Sequence, residues 1–285
     1  MVGQPVSAPQ APVAMLAKEL PDWMKVEDLI TNDDWAAEQK FDGHRMLVMI
    51  TDGNPRAFNR LGTEVRVPDT LVEDLSNPGF SENWILDGEY MNGDYYVFDC
   101  PVSDVAQVTC DTEHEDRKEF LDGFFPMWEP SRCHLVPTSY TTKQKTKLFE
   151  ECYNNHLEGL VFKKFCGKYA PGKRTLSVVK YKFVETADAM VVEVNRKGKE
   201  RAITLGMFKN GIQIDVGGCK IPDDQIGVIK VGDVVEVKYL YATSDYKVYQ
   251  PRFLKVRTDK TPAQCLVSQL KLTNKDFVVD KQDDN

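Results

Sequence analysis

Lys40-Phe41-Asp42-Gly43-His44-Arg45 is the stretch that decides how the rest of this chain reads. It sets a lysine beside a carboxylate, a glycine and an arginine. Lysine is a poor nucleophile while protonated, and its free pKa of about 10.4 leaves a very small neutral fraction at neutral pH. A catalytic lysine therefore needs nearby cations, burial or a metal to shed its proton. Arg45, Lys180 and Lys182 supply cationic neighbours if the fold brings their segments together. Taken alone, the hexapeptide also describes a surface lysine before an Asp42-Gly43 turn. Its weight comes from the motifs farther along the chain, in order: Leu86-Asp87-Gly88-Glu89, Glu158-Gly159-Leu160-Val161-Phe162-Lys163, Lys180-Tyr181-Lys182 and Arg257-Thr258-Asp259-Lys260.

Glu89 and Glu158 each fall at one end of a strand-like run. Carboxylates so placed suit Mg²⁺, which binds through one or two protein oxygens together with phosphate oxygens. Phe98, before Asp99, offers an aromatic face for a purine and equally suits an ordinary core. The segment Gly167-Lys168-Tyr169-Ala170-Pro171-Gly172-Lys173 matches the spacing of a phosphate loop. That motif needs Ser or Thr next and then a helix, whereas Arg174 comes next and Thr175 to Lys180 is β-branched. The phosphate-loop reading is rejected.

Outward from these motifs, 285 residues suggest about two domains. With 42% hydrophobic and 28% charged residues, the chain has both a core and a soluble surface. No apolar run approaches the ~20 residues of a membrane span. The first twenty residues lack an early basic region and a sustained apolar stretch, which argues against a secretory signal. Seven dispersed cysteines without a Cys-x-x-Cys pair argue against a disulfide framework or structural zinc. The net charge of −8 does not exclude nucleic acid, because affinity follows the placement of Lys and Arg. Base gathers at Lys163 to Lys182 and in Arg196-Lys197-Gly198-Lys199-Glu200-Arg201, and each run also suits a solvated face.

From Trp35 to Phe183, apolar runs at Met46–Ile50, Trp84–Leu86, Tyr95–Phe98 and Gly159–Phe162 read as buried strands. Helical spacing marks Arg117–Phe124 and Lys143–Asn154. The pattern predicts an α+β fold of antiparallel sheets packed with helices. After Thr186 come five strand-like runs, Ala189–Val194, Ala202–Phe208, Ile212–Val216, Val234–Tyr241 and Phe253–Val256. Asn210-Gly211 between two of them is a hairpin signal. Five short strands in this span predict a small Greek-key barrel of the OB type. The expected division is a flexible lead-in over 1–30, a first domain over 31–184, a barrel over 187–264 and an acidic tail over 265–285.

The ordered motifs resemble those of the ATP-dependent DNA ligases, within the covalent nucleotidyltransferases, from about Glu38 to Lys260. The likeness is greatest to compact viral and bacterial forms with only an adenylyltransferase domain and an OB domain. It implies that Lys40 attacks the α-phosphate of ATP and carries AMP as a phosphoramidate. Asp42 joins it in the catalytic set. Glu38 and Phe98 then help to hold adenine, and Arg45 and Glu89 bind the ribose and phosphate side. Glu89 and Glu158 hold Mg²⁺, with Mn²⁺ as an alternative, and Lys180 and Lys182 bind the α-phosphate. Arg257, Asp259 and Lys260 match the family's terminal motif, which orients departing pyrophosphate. Arg60 falls where the family has an arginine near the nick phosphate; its neighbours Asn59 and Leu61 depart from the usual Ser-Arg-Asn-Gly. The implied partner is nicked duplex DNA, and the implied enzyme is a monomer of the bacterial or virus-infected cytoplasm, without a membrane.

An RNA ligase or a capping guanylyltransferase shares Lys-x-Asp-Gly, yet Arg257-Thr258-Asp259-Lys260 after Pro251-Arg252-Phe253-Leu254 resembles the DNA-ligase ending. A non-catalytic OB-type strand binder is the rival of another class. Against it, every charged residue expected for catalysis is present. NAD is disfavoured as donor, because the zinc cysteines of the NAD-dependent ligases are missing.

Overall fold

The computed structural model describes residues 11–76, 83–195 and 201–273, and divides the chain into two compact units. Unit one comprises the described part of Met1–Phe149 together with Leu160–Tyr181; unit two comprises Glu150–Gly159 and the described part of Lys182–Val278. Most of the basic run at 196–201 lies outside the described residues.

The strands of the first unit, in chain order, are β1 (Leu16–Glu19), β2 (Trp35–Lys40), β3 (His44–Thr51), β4 (Asn54–Asn59), β5 (Glu64–Val65) and β6 (Trp84–Met91). They continue with β7 (Asp94–Ser103), β8 (Cys133–Leu135), β9 (Thr138–Ser139), β10 (Gly159–Lys164) and β11 (Arg174–Lys182). Helices α1 (Val26–Thr31), α2 (Val72–Leu75), α3 (His114–Trp128) and α4 (Thr142–Asn154) lie among them, and the division between units falls inside α4. One sheet runs β5-β4-β3-β6-β7-β8 and the other β1-β11-β10-β2-β9.

The run Met46-Leu47-Val48-Met49-Ile50 is apolar without alternation because β3 is covered on both faces. Met46, Val48 and Ile50 enter one core with Trp84, Leu86, Tyr95, Leu121 and Phe125. Leu47 and Met49 face the other way, onto Phe58 and Ala14. A strand buried on both sides reads as a continuous hydrophobic run.

The sheets are not purely antiparallel, which corrects the sequence expectation. β3–β4, β3–β6 and β6–β7 are antiparallel, but β7 pairs with β8, and β1 with β11, in parallel. Parallel neighbours need a long crossover, commonly a helix; α3 supplies it between β7 and β8. A second correction concerns residues 11–30. They are not a loose lead-in: Ala14 and Met15 are buried, and β1 joins the sheet edge at β11. The Pro and Ala content of the first stretch hid these apolar anchors.

Unit two carries β12 (Glu185–Asn195), β13 (Ala202–Lys209), β14 (Ile212–Lys220), β15 (Val234–Tyr239) and β16 (Arg252–Val256), in the sheet order β14-β13-β12-β15-β16. Alternation is clean here: Ala187, Ala189 and Val191 from β12, Ile203, Leu205 and Met207 from β13, and Val235, Val237 and Tyr239 from β15 share one core. Asn210 and Gly211 both have positive φ, as a two-residue hairpin turn requires. Residues 265–273, expected as tail, belong to this unit, with Cys265 and Leu270 buried in its core.

Candidate active site

Lys40 ends β2, and the Asp42-Gly43 turn carries the chain into β3. Glycine is required at 43 by close approach: a Cβ there would lie 2.5 Å from the carbonyl oxygen of Tyr90. The Gly43 N–H donates to Glu89 Oε1 at 3.2 Å, so the turn after Lys40 is tied to β6. Arg45 and Glu89 are register partners across β3 and β6.

The guanidinium of Arg45 forks onto Asp87, donating to Oδ1 at 2.6 Å and Oδ2 at 2.7 Å, and also reaches the Met15 carbonyl at 3.2 Å. Asp87 is fully buried and takes a third bond, from the Tyr169 hydroxyl at 2.5 Å. The Tyr169 oxygen in turn accepts the Met15 N–H at 3.0 Å. Burial works against charge on Arg45, but attraction and hydrogen bonding by Asp87 outweigh it, and the guanidinium pKa is raised.

The Phe98 ring has the Arg45 guanidinium 4.4 Å and the Lys163 ammonium 4.8 Å from its centroid. Lys163 donates to the Phe98 carbonyl at 2.8 Å and pairs with Glu38 Oε2 at 2.7 Å. The other oxygen of Glu38 accepts the Thr138 hydroxyl at 3.0 Å. Both members of this pair are almost wholly buried, a setting in which loss of either partner strands a charge. Beside it, Asp99 accepts two bonds from Arg117, at 2.7 and 3.0 Å. Burial pushes the Asp99 carboxyl up, but the Arg117 guanidinium more than offsets this and leaves it below the ordinary range.

One cavity in unit one gathers many of the residues singled out from sequence: Glu38, Lys40, Arg45, Arg60, Glu89, Phe98 and Lys180 all line it. Asp42 is half-buried and is not part of its lining. Lys180 pairs with Glu19 at 2.8 Å. Glu158 and Lys182, assigned to unit two, do not line the cavity and pair with each other at 2.8 Å. Arg257, Asp259 and Lys260 lie in unit two, where Arg257 forks onto Asp259 at 2.8 and 2.7 Å.

Sequence reading gave no role to Asp87, Lys163, Tyr169 or Met15. Asp87 and Lys163 stand inside the quoted motifs, and a carboxylate within an apolar strand was the available signal. Tyr169 sat inside the rejected phosphate-loop match, and the strand at 174–182 bears out that rejection.

Cations, one aromatic ring and a strand-end lysine thus line one cavity. Comparison with known proteins finds ligases. The profile of the ATP dependent DNA ligase domain matches residues 91–182, a span holding Phe98, Glu158, Lys163, Lys180 and Lys182 and starting after Lys40. A DNA ligase of Haloarcula marismortui is 27% identical, across 92% of this chain. The chain spans 56% of that relative's own length. The ligase domain of Mycobacterium tuberculosis LigD superposes with a TM-score of 0.53 at 18% identity, covering 91% of this chain and 99% of the other. A minimal Lig E DNA ligase gives a TM-score of 0.63 at 18% identity, covering 86% and 99%. At such identities the structural likeness is one of fold. In sequence and in fold the chain is thus similar to ATP-dependent DNA ligases, with the family profile confined to residues 91–182. No helix of the described residues is long and apolar enough to cross a membrane.

Proposed function

We propose that this chain seals nicks in duplex DNA at the expense of ATP, with Lys40 as the residue that carries AMP. The observation that carries the reading is the cavity that Lys40, Arg45, Arg60, Lys163 and Lys180 line together with Phe98, whose ring meets Arg45 and Lys163. In the first step the Lys40 amine attacks the α-phosphorus, a P–N bond forms and pyrophosphate leaves with the electron pair of the broken P–O bond. AMP then passes to the 5′-phosphate at a nick. The 3′-hydroxyl attacks that phosphate, and AMP departs as the phosphodiester forms. Each transfer depends on in-line placement and charge neutralisation more than on acid–base chemistry.

Phe98 offers its face to adenine, and Glu38 and Lys163 hold the edge of that platform. Arg45 is fixed by Asp87 and frames the ribose side, while Lys180 and Lys182 meet the α-phosphate. Arg60 serves the nick phosphate, and Arg257 and Lys260 receive pyrophosphate, with Asp259 orienting Arg257. Among the described residues no group of three or more His, Cys, Asp or Glu side chains forms a ready-made metal centre. Magnesium would be held with phosphate oxygens by Glu89, in the cavity lining, or by Glu158, which Lys182 engages. When bound it neutralises charge on the transferring phosphoryl group.

Residues 31–184 act as the adenylyltransferase domain and 187–264 as an OB domain. Supporting the latter, the order β14-β13-β12-β15-β16 is that of a five-stranded Greek-key barrel opened between its third and fifth strands. The Val248 N–H, just before β16, also reaches the Val216 carbonyl in β14 at 2.8 Å. The enzyme acts as a monomer in the cytoplasm.

Intact mass after incubation with Mg²⁺ and ATP, GTP or NAD separately tests the reading. One added AMP from ATP alone, mapped to Lys40 and lost in Lys40→Ala, is expected. An adduct on the mutant, or none with any donor, overturns it. Comparison of nicked DNA with nicked RNA then separates DNA ligation from RNA ligation.

A further inference from the structure

The terminal segment Arg257 to Lys260 is held by a residue from much earlier in the chain. Asp188 lies on β12, only 5% exposed, between Ala187 and Ala189. Its Oδ1 accepts from Arg257 Nη1 at 2.9 Å and its Oδ2 from the Lys260 ammonium. Its own backbone is clamped by one side chain: the Asp188 N–H donates to Gln269 Oε1 at 3.1 Å, and Gln269 Nε2 donates back to the Asp188 carbonyl at 3.4 Å. Asp188 also faces Glu236, its register partner on β15, and Arg257 Nη1 sits 3.8 Å from Glu236 Oε2. Two carboxylates directly opposed across a sheet repel. Here the cations that offset them come from Lys255, 3.2 Å from Glu236, and from the terminal segment itself.

We infer that Asp188 is a positioning residue for adenylyl transfer: one buried carboxylate, with an oxygen for each, sets the spacing and direction of Arg257 and Lys260 as the pair that receives pyrophosphate. The inference rests on the ligase reading proposed for this chain. Without the carboxylate two like charges repel, and Lys260 loses the anchor that orients it. An amide at 188 keeps the shape but turns one acceptor into a donor, which opposes a cation.

The test compares Asp188→Asn, Lys260→Ala and the double variant in two assays: single-turnover formation of lysyl-AMP over a range of ATP, and sealing of a pre-adenylylated nick. Asp188→Asn is expected to lower the maximal adenylylation rate about tenfold or more, with little change in the ATP concentration for half-maximal rate. Sealing of the pre-adenylylated nick stays within about threefold of the parent. If Asp188 acts through Arg257 and Lys260, its replacement costs less in the Lys260→Ala background than in the parent. Additive losses, or equal losses in both assays for Asp188→Asn, overturn the positioning role. Equal losses for Lys260→Ala overturn instead the assignment of the terminal segment to pyrophosphate. Should Asp188→Asn not fold, Asp188→Glu retains the charge on a longer arm and is read the same way: a selective loss in adenylylation supports the role, and none overturns it.

Discussion

Replacing Gly43 by alanine tests the claim that a close approach of strands seats Lys40. The added Cβ would stand 2.5 Å from the Tyr90 carbonyl oxygen, 3.0 Å from Met91 Cβ and 3.1 Å from Glu89 Cγ. The first is backbone and the second is fixed to it, so neither rotates away. Ordinary contact begins near 3.4 Å, and the turn or β6 must therefore yield by about 0.9 Å. Overpacking of this kind costs about 1–3 kcal/mol. The same movement strains the Gly43 N–H bond to Glu89, worth roughly 1 kcal/mol. The larger effect falls on catalysis, because displacing a reacting group by an ångström costs on the order of 100-fold in rate. Gly43→Ala is thus expected to fold with a melting point lowered by several degrees and to form lysyl-AMP about two orders of magnitude more slowly at saturating ATP. Gly93→Ala is the control: its φ of +94° makes alanine strained, yet nothing lies within 4 Å of the new Cβ. It should lose stability and keep its adenylylation rate. If folded Gly43→Ala adenylylates within about threefold of the parent, the strand approach is not what places the nucleophile.

Gly123 lies within α3 with no atom within 4 Å of an added Cβ, so Gly123→Ala should stabilise the chain by about 0.5–1 kcal/mol through backbone entropy alone. Denaturant midpoints decide it, and a destabilised variant would contradict the open space at that position. Lys118 carries a pH-dependent prediction. Burial pushes its ammonium down to about 8 from an ordinary 10.5. The unfolded chain then binds the extra proton between those values, so stability from this group rises with pH from about 8 to 10.5 and is lost as pH falls through 8. The full swing is roughly 3 kcal/mol. Lys118→Met should flatten the stability profile over that window relative to the parent, and parallel profiles would rule the shift out.

Legibility in the sequence followed the kind of signal each part carried. Uninterrupted apolar runs and an Asn-Gly turn depend on nearest neighbours, and β3, β7, β10 and the β13–β14 hairpin stand where those signals put them. The parallel pairings β1–β11 and β7–β8 join segments remote in sequence, and no local pattern announces such partners. Site residues divided the same way. Lys40, Arg45 and Glu89 sit in short motifs whose spacing is set by one turn and one strand pair. Asp188 serves Arg257 and Lys260 from far along the chain, and its only local mark is a carboxylate between two alanines of an apolar strand.

The ion pairs around the cavity separate cations that frame it from cations that can follow a phosphate. Arg45 is committed to Asp87, which is fully buried and also bonded to Tyr169; removing the guanidinium from it would strand a buried charge. Lys163 is committed to Glu38 in the same manner. Lys180 differs: its partner Glu19 is 66% exposed, so parting the two leaves no buried carboxylate stranded. On the reading proposed for this chain, a triphosphate can therefore recruit Lys180 at less cost than Arg45 or Lys163. On the same reading, that difference also reconciles a net charge of −8 with a polyanionic ligand. Its carboxylates Asp87 and Glu38 lie buried against cations they hold rigid, while the weakly held lysine remains for the ligand.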